Sequence, residues 1–593
     1  MLLRRAAVYA VACVILLVFY LSVSRSRQTW RPYLAGQEIY RPPSQANEGA
    51  FNWAKLEQHY PVTSYAPLPT IGSTRLPRVQ HVFQTPNDAA HKVQQERAKQ
   101  IKQTLKRCWS AYRERAWLAD ELTPVSGSSR TTFGGWAATL VDTLDTLWIM
   151  DMKDEFWEGV NATLAIDFSD SPMENINIFE TTIRYLGGFI AAYDLSSDSR
   201  LLDKSVELAE MIYHAFDTPD RMPMTRWKVH HAAAGFEQIA PEVILSAEIG
   251  SLELELTRLS QITNDPRWHD AGKRVMDIFD QQQGRSNVPG MWPMAVNARA
   301  KDFSTGTVFT LGAMADSLYE YLPKMYALLG GSEQYKKLYT DAMDAAIKHV
   351  LYRPMLPDDA DVLMSGAIHA ETPDSLSTQP EGQHLVCFAG GMFALGGRLL
   401  NLPSHIEIGR KLTNGCIWTY DHSALGIMPE TFTTVPCADR TTCTWDEHKW
   451  EADVLSRAKL ADSTTASGKL IASQRRLPKG FTSMDDRRYV LRPEAIESVF
   501  YLYRITGDPA LQETAWRMFE ATEKATRTEL ANAALSDMSD EAAPKKDSME
   551  SFWTAETLKY YYLVFADPGV ISLDEWVLNT EAHPFKRPGV GVR

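Results

Sequence analysis

An all-α fold, closed as a ring of helix pairs, is what this 593-residue sequence predicts. Two observations carry the prediction. From about Ala89 onward apolar residues recur at helical spacing almost without a break, while strand-like alternation is scarce. The apolar helices also stop repeatedly at turns holding Asp, Gly or Pro, and each time another helix follows. The stops are Asp151, Asp194, Asp265, Gly330, Pro403, Asp508 and Asp567, and seven such units suggest a closed toroid. The clearest are Leu195-Ser196-Ser197-Asp198, Thr263-Asn264-Asp265-Pro266 and Thr506-Gly507-Asp508-Pro509.

Taken in order, the chain opens with a short tail, residues 1–5, expected to be cytoplasmic. Residues 6–24 form an uncharged, apolar run flanked by Arg4, Arg5, Arg25 and Arg27, long enough to span a bilayer. The run is longer than the apolar region of a cleaved leader and lacks a small-x-small exit, so it reads as a signal anchor. Its flanking charges are balanced, but the short tail favours a type II orientation with the bulk of the chain lumenal. Residues 25–92 are rich in Pro, Gln and Ser and read as a stem. The ring occupies 93–585, interrupted near 452–480 by an Ala-, Ser-, Thr- and Lys-rich surface insertion, and 586–593 form a tail. Residues 530–548, with Asp537, Asp540, Glu541, Lys545 and Lys546, read as a mobile charged loop.

A net charge of −13 argues against nucleic acid as a partner. Of the 6 cysteines, Cys13 lies in the anchor, and Cys437 and Cys443 can pair in an oxidising lumen. Cys387 and Cys416 can also pair, which leaves Cys108 free. No C-x-x-C spacing points to structural zinc. The sequon Asn161-Ala162-Thr163 is compatible with a lumenal domain. The 16 Trp and 23 Tyr are numerous enough to line a sugar site, although filling a core is the better explanation of their number.

The chemistry lies in acids set on apolar helices. Ile178, Phe179, Ile183, Leu186, Phe189 and Ile190 form a buried face, with Glu180 and Arg184 four residues apart beside it. Ala315-Asp316-Ser317-Leu318-Tyr319-Glu320, Arg492-Pro493-Glu494-Ala495-Ile496-Glu497 and Glu550-Ser551-Phe552-Trp553-Thr554-Ala555-Glu556 repeat the arrangement. Each acid alone has an ordinary explanation: a helix-dipole partner, a buried ion pair or a solvated face. Four together, with aromatic neighbours, indicate a shared acidic cavity. Paired carboxylates are what glycoside hydrolysis needs, one to protonate the leaving oxygen and one to activate water or attack the sugar. A Gly-x-Ser-x-Gly elbow, a phosphate-binding Gly-rich loop and a His-Glu-x-x-His motif are all missing from the sequence.

Ordered motifs then resemble a known family, the class I α-1,2-mannosidases of glycoside hydrolase family 47. They run from Phe133-Gly134-Gly135-Trp136 and Asp142-Thr143-Leu144-Asp145-Thr146-Leu147 through the Glu180 and Asp316 segments. His384-Leu385-Val386-Cys387-Phe388, Leu491-Arg492-Pro493-Glu494, the Glu550 segment and Asn579-Thr580-Glu581-Ala582-His583-Pro584 follow. The resemblance implies an (α/α)7 barrel, calcium as cofactor, and inverting hydrolysis of terminal α-1,2-mannose from high-mannose N-glycans on glycoproteins. It implies Glu180, Asp316 and Glu494 as the catalytic acids, with Glu180 favoured on the acid side and Glu494 as base. It places Arg184, His384, Arg492, Glu497, Phe552, Glu556 and Glu581 around the sugar, Thr580 on calcium, and Cys387 with Cys416 in a disulfide. A monomer in the endoplasmic reticulum or Golgi membrane is expected.

Met314 departs from the family pattern, which has Arg in endoplasmic-reticulum members and Leu in Golgi members. Met is nearer Leu, so a broader, Golgi-like trimming is expected. The alternative is a lectin-like or degradation-enhancing mannosidase-like protein that recognises misfolded glycoproteins. Retention of all three acids speaks for the enzyme, as does the short chain after His583-Pro584.

Overall fold

A computed structural model describes residues 39–40, 51–69, 76–459 and 467–589 and shows the ring of helix pairs. In chain order α1 spans Asp88–Arg115, α2 Ala138–Ile149, α3 Lys153–Thr163, α4 Gly187–Ser196, α5 Ser199–His214, α6 Glu253–Thr263 and α7 Pro266–Gln282. Then come α8 Asp316–Leu328, α9 Glu333–His349, α10 Phe388–Leu399, α11 Pro403–His422, α12 Glu494–Thr506, α13 Ala510–Thr526 and α14 Leu558–Phe565. The even-numbered helices form the inner ring. Each packs against the odd-numbered helix that follows it, except α14, whose outer partner is α1 from the start of the domain. Inner neighbours touch in the order α2, α4, α6, α8, α10, α12, α14. A π-helical turn ahead of α14, Trp553–Thr557, returns to α2 and closes the circle.

Sequence explains the two rings. Helix α2 buries every residue except Trp148, which is partly exposed, so it is apolar all round. Helix α7 buries Trp268, Ala271, Val275 and Phe279 on one stripe only. Each large side chain so buried stabilises the fold by about 1.5–3 kcal/mol. The inner-to-outer turns reuse one local device. Ser197, Asn264 and Gly507 end their helices in the left-handed region at φ 62°, 57° and 72°. The following Asp198, Asp265 and Asp508 then cap the outer helix, accepting from the Arg200, Arg267 and Ala510 N–H groups at 3.0 Å. Asp194, expected as a stop, instead lies within α4 and accepts from the Nε and Nη2 of buried Arg258 at 2.8 and 2.6 Å, a bidentate pair on one guanidinium edge.

Strands are short, which is why alternation is scarce in the sequence. Strands β1 (Val308–Thr310), β2 (Ala367–Thr372) and β3 (Ser375–Gln379) form one antiparallel sheet in the order β3-β2-β1. Strands β4 (Glu381–Gln383), β5 (Thr431–Thr434) and β6 (Phe481–Asp486) form another, consecutive in order. A hairpin of β7 (Trp576–Leu578) and β8 (Pro584–Lys586) carries a turn in which Asn579, Glu581 and His583 are buried.

Two expectations change. In the stretch read as a stem, residues 51–69 and 76–83 are laid along the barrel. Trp53 is buried against Trp227 and His214, the His59 and Tyr60 N–H groups donate to Asp217, and the Val79 N–H donates to Asp574. Extended backbone satisfied by distant acids leaves no periodic signal. The 530–548 loop, read as mobile, buries Ala531, Asn532, Ala533, Ala534 and Met538, and Leu535 bridges Tyr489. The insertion near 452–480 contains a helix Gly468–Gln474 that follows Glu447–Arg457, and the two bury Trp450, Val454 and Ile471. The anchor at 6–24 lies outside the described residues. Among the described residues no helix is long and apolar enough to cross a membrane.

Two disulfides are formed, Cys387–Cys416 and Cys437–Cys443, and Cys108 is buried and free. The first ties the entry of α10 to its outer partner α11. Closing a loop of 29 residues, it is worth about 3–4 kcal/mol on the chain-entropy account.

Candidate active site

The inner helices begin at a common end of the barrel, and the singled-out residues sit at those beginnings. Asp316 opens α8 and Glu494 opens α12, while His384 lies just ahead of α10 and Phe552 just ahead of the turn into α14. Glu180 precedes a π-helical turn, Thr181–Leu186, that leads into α4. Unsatisfied N–H groups and the helix dipole favour negative charge at such starts.

Arg184 is the hub on one side. Its Nε donates to Glu180 Oε2 at 2.8 Å, and its Nη1 reaches Glu581 at 2.9 Å, Ser551 at 3.1 Å and Asp142 at 3.4 Å. The guanidinium lies over the Phe133 ring at 4.6 Å and near Phe552 at 5.8 Å. Asn177 caps the segment by accepting from the Phe179 and Glu180 N–H groups. The extra residue of a π turn re-aims side chains, here those of Thr181 to Leu186, at a cost in regular bonding.

On the other side Glu494 pairs with His384, whose Nδ1 lies 2.7 Å from Oε2, and His384 Nε2 in turn meets the Tyr420 hydroxyl at 2.8 Å. Arg492 Nη1 stands 3.9 Å from Glu494 and its Nε donates to Glu430 at 2.7 Å. Burial pushes the Glu494 carboxyl up, but His384 and Arg492 outweigh it and hold it below the usual range. Asp316 has no such partner. Burial, with Glu320 and Glu494 adding like charge against the Ser317 N–H, pushes it up to about 7. One carboxyl is therefore poised as a base and one as an acid.

Below these lies a buried acidic layer. Burial, Glu320 and Glu494 push Glu497 well up, against the charge of Lys324 at 3.6 Å. Burial, with the negative charge of Glu581, Glu494 and Glu497 nearby, pushes the Glu556 carboxyl well up. Glu581 itself is pushed up to about 8 by burial, against Arg184. The β7–β8 turn presents Thr580 to this layer, its N–H donating to the Tyr321 hydroxyl at 3.3 Å. Among the described residues no three His, Cys, Asp or Glu side chains converge as a direct metal ligand set.

All the acids, Arg184, His384, Arg492, Phe552 and Thr580 thus lie on the inner ring or its plug, and Cys387 joins Cys416 as expected from the resemblance. Several residues that the sequence reading quoted only as motif matches turn out to hold the plug in place. His583 bridges Asp142 and Asp145 at 3.0 Å each, and Lys559 donates to Asp145 at 2.7 Å. Burial alone would lower His583, but the two carboxylates raise it to about 9, so it is an imidazolium. The signal was two Asp three residues apart on the otherwise apolar α2. Gly187 admits the plug: a Cβ there would stand 2.7 Å from the Asn579 amide and 2.9 Å from the His583 ring.

Comparison with known proteins agrees with this geometry. The profile of Glycosyl hydrolase family 47 matches residues 104–587. A mannosyl-oligosaccharide α-1,2-mannosidase IA of Spodoptera frugiperda is 33% identical over 82% of this chain and 66% of its own length. A mannosyl-oligosaccharide α-1,2-mannosidase of Coccidioides posadasii is 34% identical over 84% of this chain and 92% of its own. The human endoplasmic reticulum mannosyl-oligosaccharide 1,2-α-mannosidase is 33% identical, and the chain spans 62% of its length. The solved α-1,2-mannosidase of Trichoderma reesei superposes with a TM-score of 0.71 at 30% identity, covering 83% of this chain and 99% of that one. With the profile matched over residues 104–587, most of its length, the chain belongs to Glycosyl hydrolase family 47.

Proposed function

We propose that this chain is a mannosyl-oligosaccharide 1,2-α-mannosidase that removes terminal α-1,2-linked mannose from high-mannose N-glycans with inversion. The observation that carries the reading is the division of the acids. Glu494, held charged by His384 and Arg492, is suited to take a proton from water. Asp316, pushed up to about 7, keeps a proton near neutrality to give to the leaving oxygen. As water adds to the anomeric carbon and the glycosidic C–O bond breaks, Glu494 gains one proton and Asp316 loses one. Glu180 belongs to the same acid side. Arg184 occupies its Oε2, which leaves Oε1 toward the sugar. Phe552, flanked by Arg184 and Arg492, offers an apolar face for the ring.

Calcium fits the residues present. Glu497, Glu556 and Glu581, the last next to Thr580 in the chain, are all pushed up by burial and by neighbouring carboxylates, and a bound cation would relieve that repulsion. The Thr580 hydroxyl and carbonyl would hold the ion, with waters between it and the acids; such a hard cation takes six to eight oxygen ligands. Bound there, the ion would supply positive charge against these carboxyls and contacts that orient sugar hydroxyls.

The branch preference rests on Met314. It is 48% exposed, lies two residues before Asp316, and holds φ at 75°, a strained value for this residue type. It offers an adaptable apolar surface and no donor, so several α-1,2-mannoses are removed rather than one. The two disulfides support an oxidising lumen, and with residues 6–24 as anchor the enzyme is a type II protein of the endoplasmic reticulum or Golgi. The test is a time course on a nine-mannose N-glycan with calcium present, isomers resolved and the first product examined by proton NMR. Release of β-mannose beyond the first residue is expected. An α-configured first product would overturn inversion, and no release would overturn the enzyme.

A further inference from the structure

Thr580 sits at the tip of the β7–β8 hairpin, and a hairpin tip alone is a poor platform for a ligand that must be held to fractions of an ångström. Here it is held from outside. Its N–H donates to the Tyr321 hydroxyl of α8 at 3.3 Å, and that hydroxyl donates to Glu255 Oε1 of α6 at 2.6 Å. The same Glu255 oxygen accepts from Asn579 Nδ2 at 2.8 Å, while Asn579 Oδ1 accepts from the Glu581 and His583 N–H groups at 2.9 and 2.8 Å. Tyr321, Glu255 and Asn579 are all fully buried. Glu255 and Tyr321 touch no sugar-binding or catalytic group in this arrangement, and the mechanism above leaves them unused.

We infer that Glu255 and Tyr321 are positioning residues that fix the Thr580 hydroxyl and carbonyl for the cation, an inference that rests on the calcium reading of this site. The hydroxyl serves in both directions, accepting from Thr580 and donating to Glu255, so its removal releases two contacts at once without changing volume. The relay also joins the plug to α8, the helix whose first residue is Asp316, so the cation site and the acid are referred to one rigid element. Loss of groups that orient metal ligands commonly costs 10–100-fold in metal affinity.

The experiment compares Tyr321→Phe with Tyr319→Phe in the full chain. Tyr319 is an equally buried hydroxyl on the same helix, but it bonds Trp292 N–H and carbonyl at 3.1 Å, away from the hairpin. Calcium chloride titration by calorimetry should show roughly 10–100-fold weaker binding for Tyr321→Phe and unchanged affinity for Tyr319→Phe. In chelated protein, hydrogen exchange over 576–586 should quicken only in Tyr321→Phe. Unchanged calcium affinity in Tyr321→Phe, or an equal loss in both variants, overturns the inference. If the wild type binds no calcium, the metal reading falls and the exchange result alone decides whether Tyr321 fixes the tip.

Discussion

Asp316→Asn separates what the carboxyl costs the fold from what it gives the reaction. Burial pushes the Asp316 carboxyl from an ordinary 3.8 up to about 7, and a tenfold change in proton affinity is worth about 1.4 kcal/mol. The fully buried limit is therefore about 4 kcal/mol; Asp316 is only partly buried, and solvent screening brings the expectation to about 2–4 kcal/mol. The sign follows from linkage. With the folded pKa above the unfolded one, the folded state binds the extra proton, so this group destabilises the fold increasingly as pH rises from about 4 to about 7. Asparagine carries no charge and can still accept the Ser317 N–H, now at 2.9 Å. The variant should match wild type in urea unfolding below pH 4 and exceed it by about 2–4 kcal/mol at pH 7.5, both in chelator. Its turnover should fall by roughly 10²–10⁴-fold. A stability difference that does not grow with pH would refute the burial argument, and near-wild-type turnover would remove Asp316 from the chemistry.

Other outcomes follow from the same geometry. Glu180→Gln and Glu494→Gln should each keep the fold and lose roughly 10²–10⁴-fold in rate, measured on a nine-mannose glycan. His384→Phe removes a partner that holds Glu494 below its usual range, so the acid limb of the pH–rate profile should move to higher pH; an unmoved limb would mean that Glu494 is not the base. Exhaustive chelation should abolish activity and lower the melting temperature, since calcium at a hundredfold over its Kd adds about 2.7 kcal/mol. Thr580→Ala should weaken calcium binding in titration while leaving the acids in place, and full activity in chelator would remove the ion from the account. Met314→Arg should narrow the products toward one eight-mannose isomer, read by isomer-resolved chromatography.

What the sequence discloses about this barrel, and what it hides, divides along the range of the interactions. Ser197-Asp198, Asn264-Asp265 and Gly507-Asp508 are legible because a left-handed stop followed by an Asp cap is settled within four residues. The acids at 180, 316 and 494 are legible because each sits in a motif on an apolar helix. The stretches 51–69 and 76–83 laid on the barrel are not, because the partners of His59, Tyr60 and Val79 are Asp217 and Asp574, far along the chain. The loop at 530–548 misleads for a related reason: its charges face outward, while the small residues Ala531 to Ala534 do the packing. Function falls on the hidden side of the same divide. Both Asp316 and Glu494 open an inner helix in an apolar setting, and locally only Arg492, 3.9 Å from Glu494, hints at a distinction. The difference is that His384, 110 residues away, reaches one and not the other. A carboxylate with a histidine at 2.7 Å becomes a base; one in which burial and like charges outweigh the Ser317 N–H and Arg492 keeps its proton. The roles are therefore properties of the closed ring. A mutation that opened it, such as Gly187→Ala against the plug, should degrade both roles together even though it touches neither acid.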